Sequence, residues 1–277
     1  GVMGKEYALL DGESPEVAEA IFEQYLPRFA GDVLPQTEAG KVLSIIDKID
    51  NIVATFSRGL IPTGSQDPYA LRRQTIGILN ILLNSEWNIS LRPIIVESMN
   101  LLNVPADKQD ELLGQVEEFI TLRLKNIFLD REVPHHVIDL LLSNNKLSVA
   151  DAEGLVKALL ANRIDENVEL VQAFTRMYNL VKDVTYTSVD ESLLKEDAER
   201  ALYEAATKAS EASIDAWDKN DYDAVVAVPA TLVPAINTFF EDVMVMDKDE
   251  AIKANRLQLV RLAYSVMAII GDISALK

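Results

Sequence analysis

Cysteine is absent from the 277 residues. No disulfide can form and no thiolate can hold a metal, so a reducing, intracellular compartment is expected. Histidine is almost absent: only His135 and His136 occur, and they are neighbours. Adjacent helical residues point about 100° apart, so the two cannot easily share one metal. They read as ordinary residues at a helix start. No apolar run reaches the roughly 20 residues needed to span a bilayer, and no secretory segment with a cleavage site is visible. A soluble, cytoplasmic protein with no membrane partner is the expectation.

Basic charge is also scarce. There are 26 Lys and Arg against 44 Asp and Glu, for a formal net charge of −18. Split at residue 150, the halves carry 13 basic with 21 acidic and 13 basic with 23 acidic residues. No basic tail or basic domain is available to attract phosphate from a distance, so any nucleic-acid contact requires a local cluster of cations. Alternating apolar and polar runs that would argue for a sheet are missing, as are internal repeats. What is abundant is apolar residues, 49% of the chain, at helical spacing. That pattern predicts an all-α protein of two helical domains, residues 1–147 and 148–277, divided at the polar stretch "SNNKLS".

Along the chain, Ser14-Pro15 opens a helix that Pro27 stops. Thr37 opens a second helix, with Ile45, Ile49, Ile52, Val53 and Phe56 on one stripe, and Gly59 closes it. A third follows Asp67, read as its cap, with Pro68 as its first position. Further helices are expected near 92–102, 107–130, 134–142, 150–161, 165–182, 190–217, 221–241 and 248–270. Pro229 and Pro234 are expected to bend or divide the helix over 221–241.

Few residues look like chemistry. The loop "IPTGSQD" has one glycine and no following lysine, which fails the requirements of a phosphate-binding loop. Asp47 and Asp50 lie on one edge of a helix without evident partner ligands. Arg72 and Arg73 sit near a helix start, and one of them is expected to pair with a carboxylate such as Asp67. On the 165–182 helix, Gln172, Arg176 and Asn179 fall opposite the apolar stripe and form a hydrogen-bonding face suited to the unstacked bases of an RNA loop. In the last helix, Lys253, Arg256 and Arg261 are spread around the circumference. They read as phosphate contacts or as charge balance for Glu241, Asp242, Asp247 and Asp249, and spacing favours charge balance.

Four segments carry a resemblance: "GVMGKEYALLDGE" (1–13), "YLPRFAGDVLPQTEAG" (25–40), "IIDKIDNIVATFSRGLIPTGSQDPYALRRQTIGILNILL" (45–83) and "FFEDVMVMDKDEAIKANRLQLVRL" (239–262). In this order they resemble the C-terminal part of the beta-subunit family of bacterial two-subunit (alpha2-beta2) glycyl-tRNA synthetases. The resemblance runs the length of the chain and is weakest over 88–150. It implies a helical HD-like domain over 1–147, followed by a helical-bundle, DALR-like anticodon-binding domain of the kind also found in arginyl-tRNA synthetase. It implies glycine tRNA as partner and a heterotetramer with an alpha subunit, which activates glycine with ATP and Mg. This chain itself is expected to hold no cofactor or metal and to have no catalytic residue. Asp47 stands where the later metal-binding Asp of HD phosphohydrolases belongs, but no His-Asp dipeptide occurs, so an inactive scaffold is implied. The start "GVMG", in place of an initiator methionine, reads as that of a fragment lacking upstream domains. Face geometry and family placement together nominate Gln172, Arg176 and Asn179 as RNA-loop contacts, with Lys182, Arg256 and Arg261 on phosphates. The rival readings are a purely structural scaffold for the rest of the synthetase and, last, an HD-type metal phosphohydrolase.

Overall fold

A computed structural model describes residues 1–64, 66–144 and 147–276, with only the backbone of residue 165. Among the described residues the regular structure is helical, apart from one isolated bridge between Thr63 and Gln66. Two compact units emerge. The first comprises residues 1–131 and 148–150, the second residues 132–147 and 151–277.

The first unit is built on α3 (Glu38–Ser57), around which α2 (Pro15–Glu23), α4 (Leu71–Leu83), α5 (Arg92–Leu101) and α6 (Ala106–Asp130) pack, with α1 (Val2–Leu10) against α2. The α3 stripe of Ile45, Ile49, Ile52, Val53 and Phe56 is buried as its spacing requires. Phe56 meets Phe119 of α6 edge to face at 5.1 Å. Thr37 caps α3 by accepting from the Gly40 amide at 3.0 Å. Gly59, at φ 72°, takes the left-handed conformation that closes the helix. The start of α4 departs from expectation. Ala70 is left-handed, and the helix begins at Leu71 rather than Pro68. Asp67 still caps it, at longer range: its carboxylate accepts from the Leu71 and Arg72 amides at 2.8 and 2.9 Å. Helix α1 was not anticipated; its Gly1 start offers no side-chain cap to read.

The second unit contains α7 (His135–Leu142), most of α8 (Val149–Asn162), α9 (Val168–Val181), α10 (Asp197–Asp218), α11 (Tyr222–Asp242) and α12 (Glu250–Ala268). Its boundary lies 16 residues earlier than the sequence suggests, because α7 packs on the C-terminal turn at Ile273–Leu276. The fit there is close. A Cβ on Gly271 would stand 1.9 Å from the Leu140 carbonyl oxygen, and the Asn144 amide donates to the Ile269 carbonyl at 2.8 Å. Helix α11 runs through Pro229 and Pro234 as one element. It is long and apolar enough to cross a membrane by length and composition alone. Here its apolar face (Val225, Val226, Leu232, Ile236, Phe239) is buried in contact with α10, α9 and α12.

Candidate nucleic-acid interface

Helix α9 is amphipathic by construction. Asn167 caps it, accepting from the Leu170 amide at 3.1 Å. Leu170, Ala173, Phe174, Met177 and Val181 are buried toward α11 and α12. The opposite side presents Gln172, Arg176, Asn179 and, one residue past the end, Lys182, all exposed. Four of the six nominated residues therefore share one solvent-facing strip. Arg176 is steadied without being neutralised: its guanidinium lies 4.0 Å from the centre of the Phe240 ring, and Nη2 approaches the Phe240 carbonyl at 3.4 Å. Among the described residues neither Arg176 nor Lys182 has a carboxylate partner, in a chain whose acidic residues outnumber its basic ones. A cation that a strongly acidic protein leaves unpaired is open to a phosphate or a base edge.

The two residues of α12 sit differently. Arg256 is 5% exposed. Its Nε donates to Glu199 at 2.5 Å, and its Nη1 donates to Asp247 at 2.7 Å and to the Met244 carbonyl at 2.9 Å. Burial pushes the Glu199 carboxyl up, but the Arg256 guanidinium and the amides of Glu196 and Lys195 outweigh it and hold the group below its ordinary value. The phosphate-contact role expected of Arg256 gives way to an internal clamp, because its donors are spent on protein acceptors. Charge balance by Asp247 was readable from the sequence. The larger partner, Glu199, lies 57 residues away and was not.

Arg261 is half-buried. Its Nε donates to the Val184 carbonyl at 3.1 Å. It is the last rung of a ladder on α12: Gln258 donates to the Thr185 carbonyl and accepts from the Thr187 amide, while Asn255 exchanges two bonds with the backbone of Asp190. Positions 255, 258 and 261 recur at three-residue steps, the one sequence signal of the ladder. Arg261 also lines a cavity of about 520 Å³ with Ile214, Trp217 and Ser265. Its Nη1 is buried and has no acceptor among the described residues.

In the first unit, Asp47 accepts from Gln24 and Asn51 and Asp50 from Ser98. Among the described residues no group of three or more His, Asp or Glu is placed to hold a metal. Asp67, expected to pair with an arginine side chain, spends its carboxylate on backbone amides instead.

The family model described as "Glycyl-tRNA synthetase beta subunit" matches residues 1–143, and the "DALR anticodon binding domain" model matches residues 170–273. Similar proteins named "Glycine--tRNA ligase beta subunit" include those of Clostridioides difficile (strain 630), 43% identical over 278 residues, and Geobacter sp. (strain M21), 41% identical over 279 residues. These alignments cover 99% and 100% of this chain but only 40% of each relative. The chain thus spans about 40% of the length of the curated relatives it matches. With one family model covering more than half of its residues, the chain belongs to the glycyl-tRNA synthetase beta subunit family.

Proposed function

We propose that the second unit grips the anticodon loop of glycine tRNA, and that the chain thereby supports ATP-dependent glycylation of that tRNA without performing chemistry itself. The observation that carries this reading is the exposed polar strip of Gln172, Arg176 and Asn179 on α9 with Lys182 just past its end, within the segment matched by an anticodon-binding domain. Bases of an RNA loop are unstacked and expose their edges, which suits amide and guanidinium donors, while Lys182 suits a phosphate. The Phe240 ring already restrains the Arg176 guanidinium, which reduces the side-chain entropy lost on contact. Relatives named as a beta subunit imply a partner subunit. We assign glycine activation, with ATP and Mg, to an alpha subunit in a heterotetramer, and place the assembly in the cytoplasm.

The test is affinity of the chain for glycine tRNA and for a version with an altered anticodon. The unaltered tRNA should bind more tightly, and equal affinity for both would remove the reading. Arg176→Ala should weaken tRNA binding by about 1–3 kcal/mol while Tm stays unchanged. A fall in Tm would make the arginine structural.

A further inference from the structure

Arg28 and Arg92 of the first unit each find a carboxylate, on Asp32 and Glu117. Arg72 and Arg73 find none among the described residues. The one acidic side chain beside them, Asp67, already accepts from the Leu71 and Arg72 amides with its two oxygens. Arg123 of α6, buried and stacked 3.6 Å from the Phe119 ring centre, uses Nη1 on the Phe119 carbonyl at 2.9 Å. Burial first, then the charge of Arg72, hold Arg123 below its ordinary pKa, and Asp67 offsets only part of this.

Arg72 and Arg73 open onto a cavity of about 400 Å³ whose other walls include Pro27, Phe29, Asp67, Ile76 and Asn80, with both carboxylate oxygens of Asp67 accepting from backbone amides. Phe29 is 56% exposed and Ile76 is also open to solvent, an apolar shelf beside two cations. Guanidinium forks match phosphate oxygens, and an exposed aromatic ring matches the face of a base. We propose that this cavity binds a nucleotide phosphate, with the phosphate between Arg72 and Arg73, the base on Phe29 and Ile76, and Asn80 in reach of the base edge or sugar. The chemistry is shared by a free mononucleotide and by one unit of an RNA strand. Every residue of the site lies in the first unit, so the proposal is independent of the α9 reading.

Amide chemical-shift titrations of the 277-residue chain test it, with inorganic phosphate, adenosine 5′-monophosphate and a single-stranded RNA octanucleotide as probes. The nucleotide should shift the amides of Phe29, Ala30, Arg72, Arg73 and Ile76. Tighter saturation of these amides by the oligonucleotide would identify an RNA strand as the natural source, and the reverse would identify a free nucleotide. Arg72→Gln with Arg73→Gln should weaken nucleotide binding about tenfold at unchanged Tm, and the double lysine variant should recover part of it. Undiminished affinity in the double glutamine variant would overturn the proposal. So would shifts that phosphate alone reproduces in full, including those at Phe29 and Ile76. Arg176→Ala serves as the control: it leaves these shifts in place whether or not the α9 strip reads an anticodon.

Discussion

Two buried cations in this chain do opposite things to its stability. Arg256 stands between Glu199 and Asp247, and removing it would strand the Glu199 carboxylate at 0% exposure. Arg256→Met should therefore cost about 3–5 kcal/mol in urea unfolding, while Glu199→Leu combined with Arg256→Met should recover a large part of the loss. Lys48, 4% exposed, is ringed by the carbonyls of Gln24 and Leu26 and the Ser44 hydroxyl. Burial lowers its pKa from 10.5 to about 8. Between those values the unfolded chain holds a proton that the folded chain has released, so unfolding takes up a proton and stability rises with pH. Measured against Lys48→Met, which cancels the other titrating groups, the native protein should gain relative stability from pH 8 to 10.5. A flat difference would mean the ammonium is not desolvated. Only the pairing of Arg256 with Asp247 was legible in the sequence; Glu199 lies 57 residues from Arg256, and the Gln24 and Leu26 carbonyls lie more than 20 residues from Lys48.

At the scale of elements, local chemistry was readable wherever the deciding contacts are local. Thr37, Ser14 and Asn167 cap α3, α2 and α9 through amides three residues on, and the apolar stripes of α3 and α9 face the core. Asp67-Pro68 was read as a helix start because Pro suits a first turn. The backbone instead takes a left-handed residue at Ala70, and the carboxylate reaches four and five residues ahead. Helix α11 survives two internal prolines, each costing about 3 kcal/mol in an isolated helix, because its buried face is held by three other helices. The ladder on α12 supplies a prediction at this scale. Asn255→Ala removes both bonds to Asp190, and amide exchange over 184–190 should accelerate with a stability loss of about 1–3 kcal/mol. Unchanged exchange at Asp190 would show that the segment is held by other contacts.

For the whole molecule, the acidic charge sets the conditions under which RNA can be held. Under the proposed tRNA reading, attraction must come from a few converging cations, so tRNA affinity should fall with salt by a slope set by their small number. Lys182→Ala should reduce the slope of log affinity against log salt by about one. Anisotropy titrations across potassium chloride concentrations measure it, and an unchanged slope would remove Lys182 from the phosphate contacts.

The sequence by itself determined the helical class, most helix positions, the α9 strip and the family, because periodicity, capping and motif words are encoded within a few residues of each other. Tertiary structure alone decided the rest. It moved residues 132–147 into the second unit by packing α7 on the C-terminal turn. It turned Arg256 inward, because a buried glutamate from another helix needed a partner. It left Arg72 and Arg73 without a carboxylate partner among the described residues, beside an open cavity, because backbone amides had claimed Asp67. Competition for a shared partner is a property of three-dimensional neighbours, and spacing along the chain does not record it.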